Sequence, residues 1–172
     1  MGIANYSNGL KNGVNSYYDS LGKCYYRDFY YYNLSVGPIT LYDESETPKR
    51  YFFVTLQNET LMDIDYRNWH GVEKILPKCI NYIYDTQRTD SIKEGSLLLY
   101  LIDPPKLSFE YSIYKKKIKS ENGFVPIMDV KRQLPFAKLL LPELPSDENY
   151  SVGLTVYDSL LNKKTVIYKD IW

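Results

Sequence analysis

His70 is the one histidine in the chain. It sits in Asn68-Trp69-His70-Gly71, which matches no metal or nucleophile motif, so neither a Ser–His–Asp triad nor a multi-histidine metal site is expected. A thiol nucleophile would have to pair His70 with Cys24 or Cys79, and nothing flanking either cysteine points to that chemistry. Asp63 and Asp65 lie two apart on an expected strand and so share a face. With Asp43, Glu44 and Glu46 they offer the oxygen ligands that Ca²⁺ prefers, but the D-x-[DN]-x-[DN]-G order of a calcium loop is missing. Paired carboxylates also serve glycoside hydrolysis, yet no sugar cleft is signalled. There is no phosphate-cradling G-x-G-x-x-G or Walker A stretch. Lys115-Lys116-Lys117-Ile118-Lys119 is the one basic cluster, and on a strand end it reads as charge that discourages edge pairing. The expectation is a non-enzyme with no catalytic residue, no cofactor and no metal.

Composition narrows the partners. Lys plus Arg and Asp plus Glu balance at 21 each, so no broad field draws the chain to nucleic acid or to an anionic membrane. Tyrosine stands out at 19 of 172 residues. Its ring suits a half-buried pleated surface, and it also suits interfaces, where the hydroxyl keeps a polar partner. Cys24 and Cys79 lie outside any metal or redox spacing, and two reduced thiols are expected rather than one long-range disulfide. The segment Met1-Gly2-Ile3-Ala4-Asn5-Tyr6-Ser7 has no basic n-region or apolar run, and Ser7 misses the myristoylation spacing by one position. The longest apolar run, Leu97 to Ile102, is too short to span a bilayer. Cytoplasmic synthesis without a signal peptide is the expectation. The N-x-[ST] sequons at Asn5, Asn33, Asn58 and Asn149 are then a by-product of composition.

The elements that would position these residues are strands. Residues 1–28 are polar, rich in Asn and Gly, and sustain no period, which predicts an extended arm ordered against a partner. From Phe29 strand signals recur: Phe29 to Val36, Ile39 to Tyr42, and a hairpin of Tyr51 to Leu56 with Thr60 to Tyr66. A helical turn before Pro77 and a strand from Cys79 to Tyr84 follow. Then come Leu97 to Ile102, Leu107 to Ile113, and Phe124 to Val130, an edge strand because of Pro126. Phe136 to Leu141, Tyr150 to Tyr157 and Thr165 to Trp172 complete the set. The expected fold is mainly β, an antiparallel sandwich over residues 29–172 with an N-terminal arm and an extra hairpin.

Within Leu144-Pro145-Ser146-Asp147-Glu148-Asn149-Tyr150-Ser151-Val152-Gly153-Leu154-Thr155-Val156-Tyr157-Asp158, a Tyr opens an alternating strand a few residues after Leu-Pro. This resembles the E–F corner and strand F of fibronectin type III and polycystic-kidney-disease (PKD) immunoglobulin-like domains. The segment Thr165-Val166-Ile167-Tyr168 resembles the second limb of their F–G hairpin. The resemblance spans about residues 97–172. It implies an Ig-like core in which the Tyr150 hydroxyl bonds backbone near Leu144 to Asp147. Strand C lacks the Trp, and no Cys pair bridges the sheets.

Such a match implies architecture and not activity. The leading expectation is a structural assembly protein acting through contacts with other protein subunits, a bacteriophage virion component of the tail, neck or capsid-associated kind. The alternative is a cell-surface adhesion or carbohydrate-binding module.

Overall fold

The computed structural model describes residues 1–69, 79–86, 95–116, 124–129, 135–140, 150–159 and 161–171. The chain is mainly β, and its strand pairs are antiparallel. It divides into two compact units: Met1–Lys78 with Ile102–Lys106, and Cys79–Leu101 with Leu107–Trp172. The division replaces the expected arm plus single sandwich over residues 29–172.

The first unit holds β1 (Gly2–Ile3), β2 (Tyr6–Ser7), β3 (Leu10–Lys11), β4 (Gly13–Tyr18), β5 (Cys24–Tyr31), β6 (Leu34–Ser35), β7 (Gly37–Tyr42), β8 (Pro48–Val54) and β9 (Thr60–Asp65). Seven of these form one sheet in the order β1-β4-β5-β7-β8-β9, with β6 also paired to β5, while β2 and β3 make a separate hairpin. Residues 1–28 are therefore sheet and not arm. The reason is visible at Asn15 and Asp28, which lie opposite each other across β4 and β5 and are both buried. Asn15 Nδ2 donates to Asp28 Oδ1 at 3.1 Å, and Asn15 Oδ1 accepts from the Asn5 N–H at 3.1 Å. A strand whose inward residues are polar carries no hydrophobic period to read. Its burial is offset by hydrogen bonds instead.

Three hairpin loops of this unit share one construction. In Asp19–Lys23, Asp43–Thr47 and Thr55–Glu59 the first N–H donates to the fifth carbonyl at 2.9, 3.0 and 2.9 Å. The first side-chain oxygen accepts from the third and fifth N–H groups: Asp19 from Leu21 and Lys23, Asp43 from Ser45 and Thr47, Thr55 from Gln57 and Glu59. Asp and Thr suit this place because their short side chains mimic a turn's backbone acceptor. The fourth residue is left-handed, with φ of 80° at Gly22, 56° at Glu46 and 63° at Asn58. Each loop adjoins a register shift in its strand pair, which matches a turn closed by a bulge. Asn8-Gly9 joins β2 to β3 with φ of 51° and 77°, the two-residue turn that this dipeptide favours.

The core of the unit is Phe29, Val36, Tyr51, Phe53, Leu61, Met62 and Ile64. The expected hairpin is present as β8 and β9, with Tyr51 opposite Ile64 and Phe53 opposite Met62. The expected strand from Phe29 to Val36 instead breaks after Tyr31. There Tyr32 and Asn33 take φ of 47° and 68° and turn the chain back into β6. The returning segment 102–106 is held by the Tyr51 hydroxyl on the Asp103 N–H at 3.3 Å and by the Tyr66 hydroxyl on the Pro105 carbonyl.

The second unit holds β10 (Tyr82–Thr86), β11 (Gly95–Tyr100), β12 (Leu107–Lys116), β13 (Phe124–Asp129), β14 (Phe136–Leu140), β15 (Tyr150–Asp158) and β16 (Lys163–Asp170). They form two sheets, β10-β11-β14 and β13-β12-β15-β16, consistent with a sandwich. β12 and β15 pair over nine residues and turn Phe109, Tyr111, Ile113, Val152, Leu154 and Val156 into the core. β13, with Pro126, has β12 as its sole strand neighbour among the described residues, the place expected for it. The strand expected from Cys79 begins instead at Tyr82, and Cys79 has helical backbone. Side chains take the acceptors there: the Tyr111 hydroxyl donates to the Cys79 carbonyl at 3.1 Å and Lys169 Nζ to the Ile80 carbonyl at 3.0 Å. The turn expected before Pro77 and the corner segment Leu144 to Asp147 lie outside the described residues.

Candidate functional site

Of the residues singled out for chemistry, Asp43, Glu46, Asp63 and Asp65 have carboxylates that accept hydrogen bonds. Arg50 grips Asp63 with two hydrogen bonds of 2.9 and 2.7 Å. Arg67 does the same to Asp65 at 3.0 and 2.8 Å, and these bonds, with that from its backbone N–H, hold the Asp65 carboxyl down to about 2. Asp43 caps its own loop, and Glu46 Oε1 accepts from the Cys24 N–H at 2.8 Å. Among the described residues no group of three or more His, Cys, Asp or Glu is placed to hold a metal. His70 and Lys117 to Lys119 lie outside them. Asn5 donates to the Val14 carbonyl, and Asn33 Oδ1 accepts from the Lys11 N–H at 2.7 Å, so two sequon amides act as structural ties.

Cys24 and Cys79 are free and buried. Burial pushes the Cys79 thiol up from 9.0 to about 12, so it stays protonated and unreactive at neutral pH. Tyr26 rises from 10.0 to about 12, by burial first and then by the charge of Asp28 and its bond to it. For both groups the neutral form is favoured in the folded chain. Their contribution is complete below pH 9 to 10 and is lost as pH rises through about 12. Unfolding midpoints are therefore expected to be flat between pH 7 and 8.5 and to fall steadily above pH 10, and iodoacetamide at pH 8 should leave Cys79 unmodified until the chain unfolds. Native-state alkylation at the unfolded rate would contradict its burial.

Three surfaces remain. The first is a cavity of about 650 Å³ in the first unit, between the loops Asp19–Lys23 and Asp43–Thr47 and the short 3₁₀ turn Tyr66–Asn68. Lys23, Lys49, Lys106, Tyr25, Tyr42 and Tyr66 contribute to its lining. Lys23 Nζ donates to the Glu44 carbonyl at 2.7 Å and ties the two loops. Lys106 Nζ stands 5.5 Å from the Tyr66 ring centre. Burial raises the Tyr66 phenol.

The second surface is the tip formed by the β2–β3 hairpin and the turn between β5 and β6. Lys11 N–H to Asn33 Oδ1 and Asn33 N–H to the Lys11 carbonyl, at 2.7 and 2.9 Å, stitch the two together. Around this stitch Tyr6 is 61% and Leu34 56% exposed, with Leu10 and Tyr32 also exposed. Tyr32 meets Tyr31 edge to face at 4.7 Å, and Lys11 Nζ lies 4.9 Å from the Tyr30 ring. The sequence marks this place through Asn8-Gly9, a hairpin signal carried by two residues and by no longer period.

The third surface is on the second unit, where Gly153 lies opposite Ser112 on β12 and Tyr168 on β16. The rings of Tyr114 and Tyr168 cover it and meet each other edge to face at 5.2 Å. β16 beside it has β15 as its sole strand neighbour among the described residues, and its residues are exposed or half-exposed. No family model, curated protein or solved structure matches the chain.

Proposed function

We propose that the chain is a non-catalytic assembly protein that works through protein–protein contacts, of the kind that builds a bacteriophage virion at the tail, neck or capsid. The observation that carries the reading is the tip of the first unit. Tyr6, Leu10, Tyr32 and Leu34 hold apolar surface in water on two hairpins made rigid by the Lys11–Asn33 pair of hydrogen bonds. Exposed tyrosine and aliphatic side chains on rigid hairpins are what interfaces use. The second unit's two antiparallel sheets fit the Ig-like kinship with PKD and fibronectin type III domains, which we retain as part of this proposal. The test is sedimentation velocity of the chain alone and mixed with the products of adjacent genes. Wild type is expected to associate, and a Tyr6→Ser/Leu34→Ser variant to lose that association while its circular dichroism is unchanged. A wild type that associates with nothing sinks the reading.

The cavity favours a second reading, a carbohydrate-binding module. Tyr25 and Tyr42 line it with aromatic surface for a sugar ring, and its lysines together with Asp43 and Glu44 offer donors and acceptors for sugar hydroxyls. Glycan-array binding that a Tyr25→Ala/Tyr42→Ala variant loses would favour it over assembly.

A further inference from the structure

We infer that Asn8 is a self-modifying residue, converted without an enzyme to aspartate and isoaspartate by attack of the Gly9 main-chain nitrogen on its side-chain amide. An asparagine followed by glycine suits this ring closure, because the glycine has no Cβ to obstruct its own nitrogen. The nitrogen gives its proton to hydroxide and bonds to Asn8 Cγ. The bond from Cγ to Nδ2 breaks, and Nδ2 takes up a proton and leaves as ammonia. Water then opens the five-membered imide at either carbonyl, giving aspartate or, with the chain running through Cγ, isoaspartate.

The fold separates two Asn-Gly pairs that the sequence leaves alike. Asn8 and Gly9 are exposed, with φ of 51° and 77°. A Cβ at Gly9 would meet no atom within 4 Å. Among the described residues no main-chain carbonyl takes the Gly9 N–H. Bringing its nitrogen to Cγ requires the turn to open, and the hairpin is held by two pairs, Ser7 with Leu10 and Tyr6 with Lys11. A two-stranded ribbon this short opens at little cost. Asn12-Gly13 is the opposite case, with both residues half-buried. The Asn12 N–H donates to the Asn5 carbonyl at 2.9 Å, the Lys11 carbonyl before it accepts from the Asn33 N–H, and Gly13 lies opposite Tyr30 in the ladder. A Cβ at Gly13 would stand 3.3 Å from that of Asn5. Ring closure there must first release main-chain bonds on both sides. Asn122-Gly123 lies outside the described residues. The reaction at Asn8 also changes the tip, since isoaspartate adds a carbon to the main chain of a two-residue turn. Either product places a carboxylate on the hairpin that carries Tyr6 and Leu10.

The test is timed incubation of the full chain at pH 8 and 37 °C, with tryptic peptides followed by mass spectrometry and isoaspartate labelled by a protein isoaspartyl methyltransferase. Cleavage after Lys11 puts Asn8 and Asn12 in different peptides, and fragmentation tells Asn8 from Asn5. In the folded chain Asn8 is expected to convert at least about fivefold faster than Asn12, which corresponds to about 1 kcal/mol, one net hydrogen bond. In guanidinium chloride the two rates should come together, since both pairs then lie in open chain. Equal rates in the folded chain, or an Asn8 that stays intact there, overturn the inference. Sedimentation velocity of the same aged samples bears separately on the assembly reading. Association through the tip should fall as isoaspartate accumulates in wild type and stay constant in Asn8→Gly, which keeps a residue that takes positive φ. If Asn8 converts and association is unchanged, the modification stands and the tip is not the contact. If nothing associates, the assembly reading falls alone.

Discussion

An Asp28→Ala protein is expected to unfold with a free energy lower than wild type by about 1–3 kcal/mol, the cost of leaving buried donors without an acceptor. Asp28 is 4% exposed, takes the Asn15 amide at 3.1 Å, and is bonded by the Tyr26 hydroxyl. Without the carboxylate, the Asn15 Nδ2 group and the Tyr26 phenol lose their common acceptor in the interior of β4 and β5. The Tyr17 and Tyr26 rings meet edge to face at 5.4 Å on the same face. The Tyr26 phenol should also fall from about 12 toward 10, because two of the three largest causes of its rise, the charge and the hydrogen bond, both come from Asp28. Urea unfolding measures the first effect and ultraviolet titration of the phenols the second. The result discriminates sharply, since truncation in a mobile polar arm would change neither. An unchanged urea midpoint would return residues 1–28 to the status of an arm.

Gly153→Val should destabilise the second unit by about 3 kcal/mol or slightly more, at the upper end for overpacking, with Gly153→Ala nearer 1–3 kcal/mol. A Cβ at this position would stand 2.2 and 2.7 Å from two atoms of the Tyr114 ring and 3.1 Å from the Tyr168 ring. Atoms that close must separate, so the Tyr114 ring has to leave the strand surface and its contact with Tyr168 with it. Valine is ordinarily the better strand former, so propensity alone predicts the opposite sign. A Tyr114→Ala/Gly153→Val double variant should cost much less than the sum of the single changes, because the obstructing ring is gone. Thermal unfolding of the four proteins decides it. A Gly153→Val protein at or above wild-type stability would show that Tyr114 does not lie over this glycine.

The loops and strands differed in how far they could be read. Alternation at Phe109, Tyr111 and Ile113, and at Val152, Leu154 and Val156, predicts strands that the structure places side by side as β12 and β15. Pro126 marks a strand that ends its sheet among the described residues, because a residue without an N–H cannot serve a central ladder. Asp19, Asp43 and Thr55 each open a loop of one kind, and Asn8-Gly9 carries its turn in its own conformational preference. These features are local: each depends on residues within reach along the chain.

What residues 1–28 do was decided elsewhere. Asn15 is polar in the sequence, and only the arrival of Asp28 across the ladder makes its burial tolerable. Cys79 and Ile80 have strand-like composition, but the Tyr111 hydroxyl and Lys169, 32 and 89 residues further along the chain, take their carbonyls and bend the segment. Asp63 and Asp65 look like a pair until Arg50, from the neighbouring strand, takes Asp63; the partner of Asp65 is local, Arg67 two residues on. The sequence alone determined the class of structure, since periodicity and turn chemistry are short-range. Tertiary structure decided which polar groups are buried and which tyrosines remain in water, because a hydrogen bond between distant residues can reverse what hydropathy favours at either one.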